Sequence, residues 1–368
     1  MKIAFVHEYL NQFGGAERML QVLCALFPEA PIYTLIYDRN ATGGVFDDKI
    51  IHTSFLQKMP LAKKYHRAFP LLMPLAMEQF DFSGYDSVVS VSASFAKGIL
   101  TKPGTKHICY CLTPPRFLWD DSQKFVEEFG YSRLVKKFLP PFITYLRMWD
   151  QEASRRVDDF WAISDFIKDR IDKYYRRPST VIYPPVNINK FKIGNWKLEI
   201  GNYYLMVGRL VSYKRFDLAV RVFSRLGLPL KIVGIGPEFK KLRSLASGGS
   251  RSKASGIEFL GQVSDDRLVD LYAGSRALIF PQEEDFGIVP LESMASGKPV
   301  IAYRAGGALE TVEEGKTGIF FDQLTEDSLM DAVRRFEKMS FDPKICRIQA
   351  EKFDVAVFKE NILKHIKP

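Results

Sequence analysis

The sequence predicts an α/β protein of two domains, each a parallel sheet covered by helices. Three observations carry this expectation. At 368 residues the chain is too long for one ordinary core, so two domains of about 180 residues are the starting point. Short apolar strands alternate with helical stretches along the whole chain. Glycine-rich turns recur where strands end, the edge at which open α/β sheets receive ligands.

In the first half, strands are read at 3–7, 32–37, 87–91, 107–112 and 160–163. The first runs into Asn11-Gln12-Phe13-Gly14-Gly15-Ala16-Glu17, then a helix with Ala16, Met19, Leu20, Leu23 and Leu26 at helical spacing. Gly14 and Gly15 can bring backbone close to a ligand at that helix start, although tight βα turns need glycine for steric reasons too. Tyr183-Pro184-Pro185-Val186-Asn187 is stiff and non-helical and reads as an interdomain linker. Strands resume at 204–207, 230–233, 257–259, 277–280, 300–303 and 318–321, with a surface loop at 247–256. The expected limits are domains at 1–183 and 184–345, then a C-terminal helix at 346–368 packing back on the first domain.

Composition narrows the class. With 46% hydrophobic and 26% charged residues the chain has a globular composition, and no apolar run reaches the roughly 18 residues of a membrane span. The first residues meet an acid at Glu8 and offer no small-residue cleavage site, so they read as a strand, and a cytosolic protein is expected. Cys24, Cys109, Cys111 and Cys346 lack zinc spacing and read as buried thiols. A net charge of +9 suggests an anionic partner. Basic residues are scattered through both halves rather than gathered into a stripe, which disfavours nucleic acid. One segment stands apart. From Lys49 to Met77, Lys49, Lys58, Lys63, Lys64 and Arg67 occur without an acid, among Phe55, Leu56, Met59, Leu61, Tyr65, Phe69, Leu71, Leu72 and Met73. It fits a surface leaning on an anionic membrane or gripping an amphiphilic substrate, and equally a core helix with a basic solvent face.

The most informative stretch runs from Ala277 to Glu292, where an apolar strand enters an acidic turn and then a short helix. Pro290 suits that helix's first turn and Gly297 its stop. The loop sets the carboxylate of Glu284 beside backbone N–H groups at Phe286, Gly287 and Ile288, with Glu292 one turn further on. Amides and helix dipole favour a phosphate, while a carboxylate accepts from vicinal hydroxyls, a combination that reads as a sugar-phosphate site. After strand 204–207, Gly208-Arg209-Leu210-Val211-Ser212-Tyr213-Lys214 offers a guanidinium fork and a point charge to phosphate oxygens. Gly234, in the turn after 230–233, and Val263, after 257–259, could line a nucleotide at the same edge, Val263 through backbone groups toward a base. The first half carries no G-x-G-x-x-G or Walker lysine, which disfavours NAD and ATP sites.

Together these pieces resemble the retaining glycosyltransferases of family 4, whose GT-B architecture sets two Rossmann-like domains facing across a cleft. The resemblance runs the whole length and rests on GGAE at 14–17, GRL…K at 208–214, VGIGPE at 233–238, FLGQV at 259–263, EEDFGIVPLE at 283–292 and AGGALETV at 305–312. It implies that Arg209 and Lys214 bind the donor's diphosphate and that Glu284 holds the sugar hydroxyls. It further implies that Phe286, Gly287, Ile288 and Val289 offer amides, that Glu292 holds the ribose, and that Gly15 approaches the diphosphate from the other domain. One departure matters. Mannosyltransferase-like members often read YCHTP where this chain has Tyr110-Cys111-Leu112-Thr113-Pro114, so Leu112 replaces a histidine facing the donor sugar.

The implied donor is a nucleotide-diphosphate sugar, GDP-mannose ahead of UDP- and dTDP-sugars. The implied acceptor is a hydroxyl of a surface polysaccharide or lipid-linked glycan, with His7, Thr113 and Arg116 as candidate contacts. No cofactor and no metal are expected, because Arg209, Lys214 and helix N-termini can neutralise the leaving diphosphate and no Asp-x-Asp element is present. Two alternatives stay open through Leu112: transfer of a deoxy sugar such as rhamnose, or a two-domain nucleotide-sugar binder with impaired catalysis.

Overall fold

The structure, a computed structural model, describes residues 1–60, 63, 69–120, 133–191, 202–247 and 256–366. Leu61, Lys64, Tyr65 and Arg67 of the basic segment, and the interior of the 247–256 loop, lie outside the described residues. The chain divides into two compact units, Met1–Tyr183 with Lys359–Pro368, and Pro184–Phe358.

The first unit holds seven strands: β1 (Ile3–Leu10), β2 (Ile32–Tyr37), β3 (Ile51–Thr53), β4 (Ser87–Ser92), β5 (Lys106–Cys111), β6 (Asp159–Ala162) and β7 (Thr180–Val181), ordered β3-β2-β1-β4-β5-β6-β7. Every pairing is parallel. Strands covered on both faces cannot alternate apolar with polar, and β4 (Ser-Val-Val-Ser-Val-Ser) is buried at each position. The edge strands β3 and β7 have three and two residues, too short for any periodicity to announce them. One side of the sheet is sealed by Leu56, Met73, Ala76, Met77, Phe95, Leu118 and Leu146, side chains from the helices and turns that cross it.

The second unit has β8 (Tyr203–Val207), β9 (Leu230–Val233), β10 (Ile257–Gly261), β11 (Ser275–Phe280), β12 (Val300–Tyr303) and β13 (Gly318–Phe321), ordered β10-β9-β8-β11-β12-β13 and parallel throughout. Its core joins Tyr204, Phe223, Ile232, Ile279, Phe321 and Val333. Counted from its own first strand, each unit contains the doubly wound order 3-2-1-4-5-6, which reverses between its first and fourth strands. That switch point lies between β1 and β4 in one unit and between β8 and β11 in the other. The chain ends in two helices, Pro343–Glu351 and Val355–His365, where the sequence suggested one. All four cysteines are buried and unbridged.

Candidate functional site

In the second unit, β8 and β11 deliver their turns to the same sheet edge, flanking the switch point. Gly208 after β8 has φ +153°, and a Cβ at Gly234 would stand 1.8 Å from the Gly208 carbonyl oxygen. A Cβ at Gly236 would stand 2.3 Å from the Leu210 carbonyl oxygen. The turn after β9 therefore lies on the backbone of the turn after β8, an approach that only glycine permits. The Gly234 N–H also donates to the Gly261 carbonyl at 2.7 Å, tying in the turn that carries half-buried Val263.

The acidic turn after β11 is braced in the same way. The Gly307 N–H donates to the Glu284 carbonyl at 2.9 Å. Hypothetical Cβ atoms at Gly306 and Gly307 would stand 2.3 Å from the Glu284 carbonyl oxygen and from Phe286 Cα. Phe286 is buried with its ring centroid 5.7 Å from that of Phe353. Gly287, at φ +89°, caps the helix Ile288–Ala295, with Pro290 inside its first turn and Gly297 beyond its end at φ +73°. The first N–H groups of a helix have no carbonyl to meet within it, so Ile288 and Val289 bring donors and a positive dipole end to this edge.

Two side chains meet directly. Lys214 Nζ lies 2.6 Å from Glu284 Oε1, both partly buried, and Gln282 Nε2 donates to the same oxygen at 3.3 Å. The sequence reading treated cation and carboxylate as separate ligands of phosphate and sugar, but here each is the other's partner. Arg209 is exposed, and no hydrogen bond or ion pair engages its guanidinium among the described residues. Glu292 is half-buried one turn along the helix, where its Oε2 accepts from the Tyr272 hydroxyl at 2.8 Å. Tyr272 and Gln282 had no signal in the sequence, because neither belongs to a recognisable spacing.

The first unit has its own polar cluster at its switch point. Gly14 caps the helix Gly15–Leu26, and its N–H donates to Glu17 Oε2 at 2.7 Å. Glu17 is buried, and its Oε1 receives Gln12 Nε2 at 3.3 Å and lies 3.4 Å from His7 Nε2. Glu8, also buried, joins β1 to the turn after β4: one carboxylate oxygen accepts from Ser92 Oγ and from the N–H groups of Ala93, Ser94 and Ala96. His7, a candidate acceptor contact, is 3% exposed with both ring nitrogens engaged inside the unit. Thr113 follows β5, and its Oγ1 receives Arg170 Nη1 at 2.7 Å. Arg170 is mostly buried and also pairs with Asp120. Arg116 is half-buried at the start of the short helix Arg116–Trp119, and Leu112 is half-buried beside Thr113. Glu17 stands in the GGAE stretch, but nothing in its spacing announces that its side chain reaches back to the Gly14 N–H.

Comparison with known proteins fits this geometry. Residues 189–353 match the family model of glycosyl transferases group 1. An alpha-1,3/1,6-mannosyltransferase of Dictyostelium discoideum is 29% identical over 93% of this chain and 90% of its own length. A GDP-mannose-dependent phosphatidylinositol monomannoside mannosyltransferase of Mycobacterium tuberculosis is 36% identical over 34% of this chain and 36% of its own. The chain spans about half or less of the length of several other curated relatives. Among solved structures, HepE of Anabaena, crystallised with UDP, superposes with a TM-score of 0.72 over 99% of both chains at 18% identity. Two Rossmann-like units of this kind define the GT-B fold. The chain is similar to the family-4-like glycosyltransferases, with mannosyltransferases among its relatives.

Proposed function

We propose that this protein transfers a sugar, with retention, from a nucleoside-diphosphate donor to a hydroxyl of a surface polysaccharide or lipid-linked glycan. GDP-mannose is the favoured donor, because the Dictyostelium and Mycobacterium relatives are named as mannosyltransferases and the latter as GDP-mannose-dependent. The single observation that carries the reading is the Lys214–Glu284 pair. It sets a cation and a hydroxyl acceptor side by side at a sheet's switch point, next to an exposed arginine and a helix N-terminus.

In this reading Arg209, Lys214 and the N–H groups from Phe286 to Val289 neutralise the leaving diphosphate, so no resident metal or cofactor is required. Lys214 exchanges Glu284 for a phosphate oxygen when donor binds, and the freed Glu284 carboxylate then accepts from the sugar hydroxyls. Glu292 accepts from the ribose, and the Val263 turn meets the base. Charge builds on the anomeric carbon as an oxocarbenium-like cation while the acceptor attacks from the face the diphosphate leaves. The departing phosphate oxygen takes the acceptor's proton, so Glu284 positions and no protein nucleophile is needed. The site works on the cytoplasmic side of a membrane that supplies the acceptor. Leu112 supports a second reading, transfer of a deoxy sugar such as rhamnose, whose missing hydroxyl suits an apolar neighbour.

A thermal-shift panel of GDP, UDP and dTDP tests the reading. The preferred nucleotide, at 100 times its dissociation constant, should stabilise the protein by about 2.7 kcal/mol. Arg209→Ala should then weaken that nucleotide by about 1.5–3 kcal/mol in calorimetry. Silence from all three nucleotides would overturn the proposal.

A further inference from the structure

In the cluster behind the Gly14–Gly15 turn, the His7 ring stands between two acceptors. His7 Nδ1 lies 3.3 Å from the Val91 carbonyl oxygen and Nε2 lies 3.4 Å from Glu17 Oε1. Both partners are acceptors. A neutral imidazole has a single N–H and can satisfy only one of them, whereas the imidazolium satisfies both. The charged groups facing the ring are Glu17 from the following helix and Glu8 from its own strand. Gln12 meets the same Glu17 oxygen, and β4 contributes the Val91 carbonyl. Burial works against a charged His7. The hydrogen bond to Glu17, the charges of Glu8 and Glu17 and the Val91 carbonyl outweigh it, so the pKa is raised. Glu17 feels burial in the opposite sense, but the contact and charge of His7 and the Gly14 N–H hold it below the ordinary range.

Independently of the donor reading above, we propose that Glu17 is a positioning residue, locked by protonated His7, which fixes the Gly14 amide and so the course of the backbone through the Gly14–Gly15 turn. When His7 loses its proton it can donate to only one of these two acceptors, and with its hydrogen on Nδ1 the Glu17 Oε1 oxygen keeps Gln12 Nε2 alone and faces the lone pair of His7 Nε2. The turn then loosens. The sign is fixed by the direction of the shift. With the folded pKa above the ordinary 6.5, the brace is complete below that value and is lost as pH rises through the raised one.

Amide hydrogen exchange of residues 11–18 in the full chain, followed from pH 6 to 9 and corrected for intrinsic base catalysis, tests this directly. Wild-type protection at Gly14 should fall about tenfold along the alkaline limb, the scale of one lost hydrogen bond. His7→Gln can still donate to Glu17 but cannot titrate, so its profile should be flat. Glu17→Gln, with one acceptor oxygen in place of two, should lower Gly14 protection at pH 6. A flat wild-type profile, or an alkaline limb that survives in His7→Gln, would overturn the proposal. Should Glu17→Gln fail to fold, those two profiles decide alone.

Discussion

Glu284 and Glu292 stand eight residues apart in one motif, yet their partners assign them different work. Glu284 is paired with Lys214 at 2.6 Å, whereas Glu292 accepts from the Tyr272 hydroxyl. Replacing Glu284 with Gln removes the carboxylate that competes with phosphate for Lys214. Bare nucleoside diphosphate should therefore bind Glu284→Gln at least as tightly as wild type. Sugar transfer should fall by two orders of magnitude or more, the scale of losing a positioned electrostatic group. Glu292→Ala should do the reverse and weaken bare nucleotide by about 1.5–3 kcal/mol, the range for hydrogen bonds to a charged group. It also strips the buried Tyr272 hydroxyl of a partner, so some loss of melting temperature belongs to that variant as well. Calorimetry and turnover on both variants check the division. Equal loss of nucleotide affinity in the two would refute it. At this scale the sequence could name the acids but not their pairing, because the contact between positions 214 and 284 depends on strands brought side by side.

Elements explain why those side chains meet. Parallel strands buried on both faces are plain in a sequence as short apolar runs, and all six strands of the second unit were legible, the half-buried edge strand Ile257–Gly261 included. Their turns were less so. Glycines at 234, 236, 306 and 307 are readable as turn formers, but what each approaches is settled by packing between turns far apart in the chain. Gly307 illustrates the point, since its own backbone is not left-handed and its need is space alone. Gly307→Ala would drive a methyl group into the backbone of Phe286. It should cost about 1–3 kcal/mol, as overpacked interiors do, and displace the Glu284 turn. Gly104→Ala is the control, because nothing lies within 4 Å of its Cβ position and its φ is not in the left-handed region. Denaturant unfolding of the two variants, read with nucleotide binding, checks the claim. A Gly307→Ala protein as stable as Gly104→Ala would show that the acidic turn does not depend on this close approach.

The molecule as a whole raises the question of where the acceptor comes from. The described residues of the basic and apolar segment 49–77 divide between buried and exposed positions. Leu56, Met73, Ala76 and Met77 are buried in the first unit's core, whereas Phe55, Lys58, Lys63, Leu71 and Leu75 are exposed. Helix Met73–Glu78 is joined to helix Arg133–Arg155 through Glu78, which accepts from Trp149 and Arg156. The longer helix adds Phe142, Tyr145 and Met148, all exposed and three residues apart. Exposed aromatic and aliphatic side chains together with exposed lysines fit an interface with anionic lipid, where apolar groups settle at the headgroup boundary and each basic residue contributes about 1 kcal/mol. No helix among the described residues is long and apolar enough to cross a membrane. Reversing the charge of Lys58, Lys63 and Lys64 should therefore lower binding to anionic vesicles by at least about 3 kcal/mol, more than a hundredfold. Nucleotide affinity should be unchanged, since the proposed donor residues of the second unit lie in a different part of the fold. Replacing Phe142 and Met148 with serine should weaken vesicle binding that persists at high salt, where the electrostatic part is screened. Co-sedimentation with vesicles of graded anionic lipid content reads both effects. A wild-type protein that stays in the supernatant at low salt would show that these side chains face water and that the acceptor reaches the enzyme from solution.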